Sequence, residues 1–135
     1  MEEKWGRWEP KVGLSSKYYV ESLSDSIKGF RIYLSNVNDE KKKVEVTFKD
    51  SVHAYRSTDE SFRQSSINII DEKYGTEFYS DWTFFKVNNS KYIQWLSEQS
   101  YGIAESEALI HFSFVARDSI VDVIAAYEPE IKIIR

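Results

Sequence analysis

The residues best suited to chemistry crowd into one stretch, VHAYRSTDESFRQ, Val52 to Gln64, which brings His53, Arg56, Asp59, Glu60 and Arg63 together. A histidine can carry protons near neutral pH, and carboxylates or guanidinium groups beside it can orient it or hold an anion. The other histidine, His111, lies in ALIHFSFVA. A small hydrolase built on either would need the ring within hydrogen-bond reach of a carboxylate in a cleft. Each sits in a strand-like run, His53 expected to face solvent and His111 to point away from Ile110 and Phe112, so both read first as structural. Asp59 and Glu60 are neighbours in sequence and do not face each other on a helix, so they form no catalytic dyad on their own.

Other chemistry is excluded by composition. The chain has no cysteine, hence no disulfide, thiolate metal site or cysteine nucleophile. It contains neither a glycine-rich phosphate loop, nor a Gly-x-Ser-x-Gly elbow, nor a His-Glu-x-x-His helix. No enzyme activity, cofactor or metal is therefore expected. The start, MEEKWGRWEP, lacks the apolar stretch of a secretory signal, and no window approaches the roughly 20 apolar residues of a membrane span. A cytoplasmic location and no membrane partner are the expectation.

The elements that must position these residues follow from periodicity. Phe30, Ile32 and Leu34 alternate with Arg31 and Tyr33, and Val44, Val46 and Phe48 alternate with Glu45 and Thr47, which predicts a hairpin around NVNDEKKK. KYYVESLSD and SVHAYR read as further strands. A first helix is predicted from Thr58 to Tyr74, with Ser57 as N-cap, Glu60 completing a capping box and Gly75 as the stop. Trp82 to Val87 reads as a strand, with one of its aromatic residues expected to lie away from the core. A second helix begins near Ser90 and ends by Gly102. ALIHFSFVA and IVDVIAAYE form a closing hairpin around RDS, and EIKIIR an edge strand or docked terminus. Trp5 and Trp8 are expected to clamp the N-terminal arm onto the sheet. The sum is a single α+β domain over residues 1–135, a mainly antiparallel sheet of about six or seven strands with two helices on one face.

Charge and aromatic content bear on partners. The net charge is −4, and from Glu98 to Glu130 seven acidic residues stand against Arg117 alone. Such a segment disfavours a nucleic-acid backbone and suits a basic protein surface. Glu98, Glu105, Glu107, Asp118 and Asp122, with Trp95 and Tyr101 as aromatic anchors, are the candidate partner-binding residues. A second reading is a small-ligand or regulatory module at a sheet end, using His53, Tyr55, Arg56, Arg63, Trp82 and Lys86, where aromatics interleave with cations.

In order along the chain, AYRSTDE, YG, WTFFKVNNSKYIQWL and HFSF resemble a group of small proteins of Gram-positive bacteria, similar in size, acidity and layout to the immunity proteins of polymorphic and contact-dependent toxins. The resemblance covers Trp8 to about Pro129. It implies a cytoplasmic, non-enzymatic protein that neutralises a cognate toxin domain, a basic nuclease-type one, by binding it directly.

Overall fold

The computed structural model describes residues 2–14, 17–103 and 108–134. The predicted alternation forms the best-defined hairpin, β3 (Gly29–Asn36) with β4 (Lys43–Phe48), in which Phe30 faces Phe48, Ile32 faces Val46 and Leu34 faces Val44, all six buried. Before it, β2 (Tyr18–Ser26) pairs with β3 through a turn that closes at Gly29. That glycine has φ 115°, and a Cβ there would lie 2.7 Å from the Phe48 carbonyl oxygen, so no side chain fits. The C-terminal β9 (Glu130–Ile134) adds antiparallel to β4, completing a four-stranded sheet in the order β2-β3-β4-β9.

The remaining strands build a second antiparallel sheet. β1 (Lys4–Arg7), β5 (Val52–Asp59), β6 (Phe84–Asn88), β7 (Ile110–Val115) and β8 (Ser119–Ala125) lie in the order β1-β6-β7-β8-β5. The protein is thus α+β, with nine strands among the described residues shared between two antiparallel sheets. The sheets face each other over Trp8, Phe30, Ile32, Leu34, Phe84, Phe112, Phe114, Val121 and Val123. The outer face of the five-stranded sheet is covered by α1 (Gln64–Tyr74) and the short α2 (Glu77–Ser80), through Ile67, Ile70, Phe85, Val87, Val115 and Ile120. Over the same face, α3 (Lys91–Gln99) sets the Tyr92 ring edge-on to His111. Buried Lys17 links the two sheets, its ammonium donating to the carbonyls of Tyr79, Trp82 and Val115 at 2.6, 2.9 and 2.6 Å. Burial pushes that group down to about 8.

Two layers of packing explain where local expectations fail. Because the five-stranded sheet has a core on each face, Phe84 and Phe85 are both fully buried although they point opposite ways, so neither strand aromatic is left over for the surface. SVHAYR does not extend the β3-β4 sheet; it joins the other one, antiparallel to β8. The helix predicted from Thr58 starts later. Ser57, Thr58 and Asp59 stay in β5, opposite Val121, Ile120 and Ser119, and a 3₁₀ turn (Glu60–Phe62) follows, capped by Asp59, whose carboxylate accepts the Ser61 N–H at 2.9 Å. The expected capping box of Ser57 and Glu60 does not form, because pairing with buried β8 outweighs a helical start that local sequence alone would favour. α1 then ends as expected at Gly75, whose N–H bonds Asp71 O at 2.9 Å.

Candidate functional site

β7 and β8 are buried on both faces, so any polar side chain they carry toward the helices must find partners inside the protein. His111 on β7 does so at both ring nitrogens: Nε2 lies 2.7 Å from Asp122 Oδ1 on β8, and Nδ1 lies 2.6 Å from Ser90 Oγ. Ser90 is the N-cap of α3, its hydroxyl oxygen accepting the Ile93 N–H at 3.1 Å. The other carboxylate oxygen of Asp122 accepts from Arg56 Nε and Arg63 Nη1, each at 2.8 Å. Burial by itself drives the Asp122 carboxyl upward, but the His111 hydrogen bond and the charges of His111, Arg56 and Arg63 outweigh it and hold the group below the usual carboxylate range. Asp122 thus faces Nε2 of His111 on one side while Nδ1 of the same ring faces the Ser90 hydroxyl on the other.

The late helix start is what makes this possible. Because β5 runs on to Asp59, Arg56 stands directly opposite Asp122, and the 3₁₀ turn then brings Arg63 back over the same carboxylate. Above them opens a cleft of about 370 Å³, lined by Glu3, Trp5, Arg56, Arg63, Ser66, Lys91, Tyr92, Trp95 and His111. The Arg56 guanidinium lies over the Tyr92 ring, 4.2 Å from its centre, and Tyr92 stacks on Trp95 at 5.8 Å with 26° between planes. The Glu3 carboxylate lies on the rim, accepting from the Lys91 backbone N–H at 2.8 Å and from Trp5 Nε1 at 3.3 Å.

Ser90, His111 and Asp122 have the residue types of a hydrolytic triad, and the carboxylate that a histidine-based hydrolase would need is present. Catalysis needs a serine hydroxyl facing substrate, whereas Ser90 is buried and its oxygen already caps a helix. The ring nitrogen that a base would use is held against that same buried hydroxyl. The network fastens α3 to the sheet and orients two guanidinium groups under the cleft.

No family model, curated protein or solved structure matches this chain.

The residues singled out in the sequence part company in space. Of the ligand-module set, Arg56 and Arg63 converge, but Tyr55 points from the opposite face of β5 and lies tilted against Phe30, ring centres 4.4 Å apart. Trp82 donates its indole N–H to Trp8 O at 3.1 Å, Lys86 pairs with Glu128 at 2.9 Å, and His53 is exposed on β5. That six-residue set is therefore not one site. Of the partner-binding set, Asp122 is 0% exposed and cannot touch a partner; its charge is directed inward because β8 is covered on both sides. Glu98, Trp95, Tyr101 and Asp118 are on the surface, Asp118 accepting the Val20 N–H at 3.1 Å. Glu105 and Glu107 lie outside the described residues. Sequence reasoning missed Ser90, Tyr92 and Lys91 as neighbours of the arginines, and missed the pairing of His111 with Asp122. One signal was present: a lone charge inside the apolar run IVDVIAA has to be paired when that strand is internal. Among the described residues there is no group of His, Asp and Glu suited to holding a metal ion, and no helix is long and apolar enough to cross a membrane.

Proposed function

We propose that this protein is a non-enzymatic binding protein of the bacterial cytoplasm that neutralises a cognate toxin domain by covering it, with neither nucleic acid nor membrane as its target. The observation that carries the reading is the end of α3 and the turn after it, where Tyr101 is 99% exposed and Ile103 and Glu98 are exposed beside it. The backbone holds Tyr101 at φ 54°, a left-handed conformation that disfavours any residue with a Cβ, while its ring stands in solvent. Exposed aromatics flanked by carboxylates are what an interface uses as anchors and steering charge, and a basic partner complements a chain of net charge −4. The burial of Ser90 supports binding over catalysis.

The test is co-expression with the product of the neighbouring gene. Protection of the host and recovery of a one-to-one complex are expected, both lost in the Glu98→Lys, Tyr101→Ala double variant. Neither protection nor a complex with the wild-type chain would sink the reading. A fluorophosphonate probe is expected to leave Ser90 unlabelled in native protein, and stoichiometric labelling there would point to an enzyme instead.

A further inference from the structure

We propose that the cleft over Asp122 binds a small aromatic anion, its carboxylate or phosphate held by Arg56 and its ring laid against Trp95. This does not rest on the inhibitor reading and uses different side chains from Glu98 and Tyr101.

The first support is a surplus of positive charge. One buried carboxylate, Asp122, faces two guanidinium groups, and Lys91 lines the same cleft. The other carboxylate there, Glu3, is engaged by the Lys91 backbone N–H and the Trp5 indole. Three cationic residues and two acidic ones thus gather at this one place, in a chain that is acidic as a whole. Arg63, with its side chain 12% exposed, and His111 already satisfy Asp122 from inside; Arg56, at 44%, is the one turned toward solvent.

The second support is the way Arg56 is held. Its Nε is bonded to Asp122 and one face of its guanidinium rests on Tyr92, so the group is fixed, while both terminal nitrogens lack a hydrogen-bond partner among the described residues. A fixed planar fork with free terminal N–H groups is the geometry that takes a carboxylate or phosphate through two parallel hydrogen bonds. The third is the stack itself. Arg56, Tyr92 and Trp95 form a ladder of planar groups, and the outermost, Trp95, is 49% exposed. Arg56, Tyr92 and Trp95 all line the cleft, so a ligand ring lying beside the ladder against the cleft side of Trp95 directs its anionic group toward Arg56, and a volume of about 370 Å³ fits a small molecule.

Phenyl phosphate, benzoate and inorganic phosphate serve as probes, titrated calorimetrically into the full chain with the Trp95 indole signal followed by NMR. Phenyl phosphate and benzoate are expected to saturate and to shift that signal, phenyl phosphate binding more tightly than inorganic phosphate. Arg56→Gln is expected to weaken each aromatic probe by about tenfold or more. Trp95→Ala, which leaves every contact of Asp122 in place, is expected to remove the advantage of phenyl phosphate over inorganic phosphate. Glu3→Gln, which removes the competing charge on the rim, is expected to tighten binding. No saturable binding by either aromatic probe, or equal binding by wild type, Arg56→Gln and Trp95→Ala, would overturn the proposal. Thermal melting of each variant separates loss of the site from loss of the fold.

Discussion

At the scale of single residues, the fate of Asp122 decides most about this protein. A carboxylate counted as surface charge is buried, and its attraction to His111, Arg56 and Arg63 exceeds the penalty of leaving water. Removing one member of a buried ionic cluster leaves the others uncompensated, so Asp122→Asn is expected to lower stability by about 3–5 kcal/mol, read from urea unfolding. The same group predicts a pH dependence. Its folded value lies below the unfolded one, so its contribution is present above the ordinary carboxylate range and fades as pH falls through that range toward the folded value. The urea midpoint of the wild type is expected to drop from about pH 5 downward, and more steeply than that of Asp122→Asn. Parallel pH profiles for the two proteins would show that Asp122 is not the group responsible.

At the scale of elements, the Ser90 cap formed as expected and the Ser57 cap did not. α3 starts at Ser90 and its turn ends through Gly102, which donates to Ser97 O at 2.8 Å, as the pattern of the segment predicts. Ser90 has a second bond, to His111, that no local rule contains. Ser90→Ala is therefore expected to cost about 2 kcal/mol, more than a cap alone, with α3 and the His111 ring both loosened in amide exchange. The glycines provide a sharper contrast. Gly75 and Gly29 both have positive φ, yet a Cβ on Gly75 meets nothing within 4 Å while one on Gly29 meets the Phe48 carbonyl. Gly75→Ala is expected to cost about 1–3 kcal/mol in backbone strain, and Gly29→Ala distinctly more, with the β2-β3 turn displaced. Equal midpoint shifts for the two variants would argue against that clash.

At the scale of the whole molecule, the two sheets and the helices make a layered body in which the arginine cleft and the exposed end of α3 are separate features. Tyr101→Ala and Glu98→Lys are expected to change stability by less than about 0.5 kcal/mol, because neither side chain is buried, while abolishing partner binding. A large loss of stability would mean that this end of α3 supports the fold. Much of the architecture was legible in the chain. Alternation marked β3 and β4, runs of β-forming residues marked β7 and β8, capping and apolar spacing marked α3, and the glycines marked the ends of the helices. These signals are local, because a period of two or 3.6 residues says which side chains share a face. They do not say which strands pair, or which faces a second layer covers. That is why the strands divide into two sheets without a sign in the sequence, and why β5 runs past Ser57 into what reads as a helix. The site depends on the same long-range choices. Ser90, His111, Asp122, Arg56 and Arg63 come from five places in the chain and meet only because β5, β7 and β8 are neighbours beneath α3. The sequence alone determined the α+β class and the buried face of β3 and β4. The tertiary structure decided that the conspicuous cluster around Arg56 would divide, its helix-starting residues staying in β5 and the turn after it, and its arginines turning inward to a carboxylate 59 and 66 residues away.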